Sequence, residues 1–125
     1  MEFQFRNFVN LKGINEIAAC RVCVVGIRRK RVNLSPHAIM STKEGMVIHT
    51  NSPKVRRHRR TTVELILSQH DCECVTCSRS GNCSLQTVAN DLNIIDIPFK
   101  MEIERQPWNK EFPLIRDSSK CIKCM

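Results

Sequence analysis

One imidazole and four thiols fall within fourteen consecutive residues of this chain, and His70, Cys74, Cys77 and Cys83 among them have the spacing of metal ligands. Soft sulfur donors packed this closely can wrap a single metal centre, and the centres they favour are zinc and iron–sulfur clusters. The spacing is H-x3-C-x2-C-x5-C. The C-x-x-C step brings two thiolates to one centre from a tight turn. The five-residue gap gives Cys83 a loop on which to come round, and His70 arrives from the opposite end. A Cys3His zinc site uses the same donor set, so both metals stay open on spacing alone. In a cluster, a neutral imidazole replacing one thiolate makes the centre less negative and tends to raise its reduction potential. Cys72, two residues before Cys74, reads as a spare thiol that could compete for the metal.

The other cysteines extend the pattern. Eight occur in 125 residues, and Cys20/Cys23 and Cys121/Cys124 are further C-x-x-C pairs. The chain opens Met1-Glu2-Phe3-Gln4, with an early acid and no apolar run of the kind a secretory leader has. No stretch approaches the ~20 apolar residues of a membrane span. A reducing cytoplasm is the resulting expectation, and there clustered cysteines signify metal more often than disulfides. Apolar residues make up 42%, but aromatics only 5% and Tyr is absent, so the core is thin and a metal would help to hold it.

The net charge is +8, which suits an acidic partner. Two runs, Arg28-Arg29-Lys30-Arg31 and Lys54-Val55-Arg56-Arg57-His58-Arg59-Arg60, hold nine of the twenty basic residues. Read plainly they are solvated faces. Beside a zinc module they could bind nucleic acid, although few aromatics are available to stack on bases.

The elements that must position the four donors follow from local pattern. Ser52 can cap and Pro53 suits a first helical position, so a helix is expected over about 53–68, with Val55, Val63, Leu65, Ile66 and Leu67 apolar and His70 just past its end. Gly81 permits a sharp turn in the cysteine loop. Ser84 to Leu92 reads as a second helix, with Leu85, Val88, Ala89 and Leu92 on one face. Val22–Ile27, rich in β-branched residues, and Gly45–His49 read as strands, with the first basic run at a hairpin tip. Leu34–Lys43 contains Pro36 and reads as loop. Beyond Ile94, Pro98, Pro107 and Pro113 break regular structure, with Trp108 and Phe112 as anchors.

At this point the sequence resembles a known family. Thr61 to His70, then Cys74-Val75-Thr76-Cys77, then Gly81-Asn82-Cys83-Ser84-Leu85-Gln86 are similar to the His/Cys-ligated [4Fe–4S] segment of iron-only hydrogenases. The large iron–sulfur subunit of respiratory complex I carries a similar segment. Gly13 to Val25, with Cys20 and Cys23, resembles the middle of that family's plant-type [2Fe–2S] domain, and Glu44–Ile48 with Thr50–Arg56 resembles its end. Arg116 to Cys124 resembles the opening of a bacterial-type ferredoxin domain. The resemblance implies that His70, Cys74, Cys77 and Cys83 ligate one [4Fe–4S] relay cluster, and that Cys121 and Cys124 match the first two ligands of the next.

The departures shape the rest of the expectation. The [2Fe–2S] centre uses four cysteines; Cys20 and Cys23 match two, but Val9 stands at the first position and Leu34–Lys43 contains none, so that site is incomplete. The family's first strands and its catalytic domain have no counterpart here, and the chain reads as an oxidoreductase fragment truncated at both ends, without a catalytic residue. The expected architecture is α+β: an incomplete β-grasp remnant over 1–51, a small helical His/Cys [4Fe–4S] domain over 52–97, and an extended linker with the start of a ferredoxin domain over 98–125. The implied function is an electron-transfer module serving a redox partner protein, a ferredoxin or a sister subunit. The alternative is a Cys3His zinc module that binds nucleic acid.

Overall fold

The structure, a computed structural model, describes residues 8, 13–14, 16–28, 32–103, 113 and 117–122. Cys124, Trp108, Phe112 and the Arg29–Arg31 tip therefore lie outside the described residues.

Three antiparallel strands form a sheet in the order β2-β1-β3. Strand β1 (Val24–Arg28) is central; β2 (Val32–Pro36) and β3 (Val47–His49) flank it. The register pairs Val24 with Pro36 and Arg28 with Val32 on one side, and Gly26 with His49 on the other. The proline led to a loop being expected from Leu34, yet the strand runs through Pro36. Pro36 is the last residue of a flanking strand, where a missing N–H costs little. His37 resumes the ladder by donating to Cys23 O at 3.1 Å. A short 3-10 turn, His37–Ile39, follows.

Helix α1 (Pro53–Ser68) and helix α2 (Ser84–Asp91) complete the α+β fold. Both fall where the pattern places them. Ser52 Oγ accepts from Val55 N at 3.3 Å, and Pro53 takes the first helical position. The inner face of α1 carries Val55 and Val63, both fully buried, with Arg59 midway between them. Arg59 donates from Nη2 to Val24 O at 2.7 Å, tying the helix to the central strand. Arg60 pairs through Nε with the buried Glu64 at 2.8 Å. The second basic run is therefore not wholly a solvated face: Arg59 joins α1 to the sheet, while Arg60 pairs within its own helix.

Helix α2 ends in a Schellman arrangement. Asn93 turns left-handed (φ 52), Asn93 N donates to Asn90 O at 2.9 Å, and Ile94 N donates to Ala89 O at 3.0 Å. Ile94 then packs on the main core cluster, which comprises Val22, Val63, Leu85, Val88 and Ala89. Val22 comes from the segment before the sheet and the rest from the helices, so one core joins them. From there residues 94–103 run without regular structure, leaving Ile95 and Met101 exposed. Among the described residues, no helix is long and apolar enough to cross a membrane.

Candidate metal centre

The connection between α1 and α2 is a series of tight turns. His70 N donates to Leu67 O at 3.1 Å in the turn that closes the end of α1. Cys74 N then donates to Cys72 O (2.7 Å), Cys77 N to Cys74 O (3.3 Å), Ser80 N to Cys77 O (3.0 Å) and Asn82 N to Arg79 O (3.0 Å). Gly81, at φ 76, makes the left-handed turn that the sequence anticipates. Its N–H donates to Gln86 Oε1 at 3.1 Å, anchoring the loop to the first turn of α2.

Cys83 is the N-cap residue of α2, yet its side chain makes no capping hydrogen bond. The sulfur is thus not consumed by the helix, and it lies at the end where the helix carries its partial positive charge. Thr87 donates through both its N–H and its hydroxyl to Cys83 O, each at 3.0 Å, which fixes the backbone of this position.

His70, Cys77 and Cys83 all line one cleft of about 420 Å³. Leu85 and Ile122 form apolar parts of its wall, and Arg79 and Lys120 contribute the cations. His70 Nδ1 is buried and has no hydrogen-bond partner. Such an orphaned nitrogen is costly unless something outside the protein's own groups satisfies it. Burial, and after it the Lys120 ammonium, push His70 below the ordinary histidine range, against smaller opposing pulls from Asp71 and Asp117. The imidazole is held in the neutral form, the form that donates to metals.

Cys74 is exposed at the head of its turn and does not line the cleft. Among the described residues, no three His, Cys, Asp or Glu side chains converge as they would on one ion. Three of the four predicted donors, His70, Cys77 and Cys83, thus share one cleft, while Cys74 stands outside it. Cys72 is turned away from the group. Its Sγ donates to His70 O at 3.3 Å and to Leu67 O at 3.7 Å, and desolvation together with the neighbouring Cys74 pushes its thiol up.

The remaining predicted donors lie elsewhere. Cys20 is half-buried against the core and Cys23 is buried, in a loop that turns left-handed at Ala18 (φ 50) and Arg21 (φ 54). Neither lines the His70 cleft. Cys121 is half-buried just after the 3-10 turn Ser118–Lys120. No disulfide links any of the seven described cysteines.

Sequence reasoning missed how residues 117–122 reach the site. Asp71 N donates to Ser119 O at 2.8 Å. Lys120 Nζ lies 3.1 Å from Asp71 Oδ2 and donates to Asp71 O at 3.2 Å. Asp117 Oδ1 accepts from the N–H and hydroxyl of the buried Ser119, at 3.0 and 2.6 Å. These bonds hold Asp117 below the usual carboxylate range, and Asp71 holds the Lys120 ammonium above its ordinary value. The Asp-x-Ser spacing signals a local turn, but nothing in it names a partner 49 positions away.

A family described as the NADH-ubiquinone oxidoreductase-G iron–sulfur binding region matches residues 59–98, which take in the whole His/Cys loop and α2. The chain is 39% identical over 122 residues to the NADP-reducing hydrogenase subunit HndD of Solidesulfovibrio fructosivorans, covering 94% of this chain and 20% of that protein. It is 31% identical over 108 residues to the mitochondrial NADH-ubiquinone oxidoreductase 78 kDa subunit of Candida albicans, covering 84% of this chain and 15% of the relative. In the crystal structure of an NAD+-reducing [NiFe]-hydrogenase in its H2-reduced state, a similar fold recurs with TM-score 0.74 and 25% identity, covering 84% of this chain and 44% of that one. The chain thus spans a fifth or less of these two curated relatives, and the hydrogenase and complex I resemblance read from its residues is borne out. Residues 59–98 are thus similar to the iron–sulfur binding region of NADH-ubiquinone oxidoreductase-G proteins, a family of [4Fe–4S] binding regions, which supports a [4Fe–4S] cluster as the cofactor here.

Proposed function

We propose that this chain is an electron-transfer module in which His70, Cys74, Cys77 and Cys83 hold one [4Fe–4S] relay cluster. The observation that carries the reading is the single cleft lined by His70, Cys77 and Cys83, with the buried His70 nitrogen unsatisfied. His70 stands two residues past the end of α1, and Cys83 stands at the N-cap of α2. Cys74, exposed on the turn three residues before Cys77, is the fourth donor in this reading. When bound, such a cluster takes up and releases one electron. The residues supply orientation, a neutral nitrogen donor and an apolar wall of Leu85 and Ile122.

In this reading residues 52–97 form the cluster domain and 1–51 a [2Fe–2S]-type ferredoxin remnant whose Cys20/Cys23 pair is incomplete. Residues 98–125 lead into a second centre that begins with Cys121 and Cys124. The chain contains no group that makes or consumes substrate, works in the cytoplasm, and passes electrons to a ferredoxin or sister oxidoreductase subunit. The relatives' names, which are those of oxidoreductase subunits, support such a partner. Iron and acid-labile sulfide measured on anaerobically reconstituted protein test this. About four of each per chain from the central site, with a paramagnetic signal on reduction, is the expected result. Stoichiometric zinc without sulfide, or iron content unchanged in C77A and C83A, overturns it.

A further inference from the structure

Lys120 is the feature of the cleft that the cluster ligands leave unexplained. It lies 49 positions along the chain from Asp71, yet its ammonium pairs with the Asp71 carboxylate at 3.1 Å and donates to the Asp71 carbonyl at 3.2 Å. The same residue lines the cleft with His70 and Cys77. Asp71 N donates back to Ser119 O at 2.8 Å, so two strands of chain are clasped in both directions. Ile122, two residues further on, packs on the core cluster and also lines the cleft. The other cation of the cleft, Arg79, is exposed and spends its Nε on Asn82 O at 3.1 Å, within its own turn.

A fixed cation beside a redox centre has a definite consequence. One-electron reduction adds one negative charge, and a neighbouring ammonium stabilises the reduced form more than the oxidised one. Removing the cation makes reduction harder. Removing a neighbouring carboxylate does the opposite.

We infer that Lys120 is a positioning residue that raises the reduction potential of the centre held by His70, Cys74, Cys77 and Cys83, and that its clasp on Asp71 seats the segment entering Cys121 against that centre. This rests on the electron-transfer reading above and deepens it.

The test is a dithionite titration of the reconstituted full chain, read by paramagnetic resonance, in wild type, K120M, K120R and D71N. Dithionite supplies the electron. K120M is expected to shift the midpoint to more negative potential, and K120R to restore it toward wild type. D71N leaves the Asp71 carbonyl in place as a tether for Lys120, so it is expected to shift the midpoint to more positive potential. A purely structural clasp would move K120M and D71N in the same direction, and that result overturns the inference. A wild-type midpoint in K120M overturns it as well. Where K120M takes up no iron, D71N decides: an upward shift supports the inference, and no shift or a downward one refutes it. Wild-type protein that binds no iron and sulfide refutes the electron-transfer reading itself, and the inference falls with it. A normal cluster with an insensitive potential leaves that reading standing and removes only the role of Lys120.

Discussion

Leu85 is the residue on which fold and site most directly depend together. It is 5% exposed, belongs to the core cluster with Val63, Val88 and Ala89, and forms part of the cleft wall two positions after Cys83. L85A removes three buried carbons at ~0.8 kcal/mol each and leaves a cavity, so the expected loss is about 3 kcal/mol, inside the roughly 2–5 kcal/mol range of such truncations. For a chain with so small a core that is a large part of the total stability. L85M, which keeps the volume, is expected to cost less than about 1.5 kcal/mol. The measurement is urea unfolding of the anaerobically reconstituted protein, followed by far-ultraviolet circular dichroism, with iron counted before the transition. L85A is expected to hold its iron at low urea, because every donor remains, and to unfold at a lower midpoint with an unchanged slope. A loss below about 1 kcal/mol refutes the reasoning, because a leucine that buried cannot be removed so cheaply. Loss of iron with an unchanged midpoint would refute it too, by separating the site from the core.

Three further outcomes are expected. C72S keeps the full iron content, because Cys72 donates to backbone carbonyls at the end of α1 and does not line the cleft; iron loss in this variant would show that its sulfur is a ligand. S52A removes the cap on Val55 N and lowers unfolding free energy by about 1 kcal/mol in denaturant titrations without changing the reduction potential. Asp117 is held below its ordinary value of 3.8, so its contribution to folding is present above that pH and is lost as pH falls from there through the lowered folded value. D117N is therefore expected to melt below wild type near neutral pH, with the gap closing in acid, and a gap that widens in acid would contradict this.

Much of the site was legible because its signals are local. The spacing of His70, Cys74, Cys77 and Cys83 names the chemistry, and Ser52-Pro53 sets the start of the helix that delivers His70. Gly81 does in the structure what a residue without a Cβ is suited to do. Pro36 misled, because a proline forbids a central strand position but not the last residue of an outer one. Arg59 was hidden within a basic run, although it stands four residues from both Val55 and Val63 on the inward face of α1. That periodicity was a usable signal, and charge composition masked it. The contact between Asp71 and Lys120 was not legible at all. Each residue has ordinary neighbours in sequence, and only the folded chain brings them together.

The bridge from Asp71 to Lys120 also bears on how the chain comes to its final form. Joining the ends of a segment 49 positions long carries an entropic penalty on the order of 3 kcal/mol from length alone. A partly exposed ion pair returns only about 0–1 kcal/mol. The ion pair alone therefore does not draw these ends together; the clasp works with the packing of Ile122 on the core and the burial of Ser119. What the pair sets is alignment, deciding which residue of the returning segment halts beside the imidazole once collapse has brought it near.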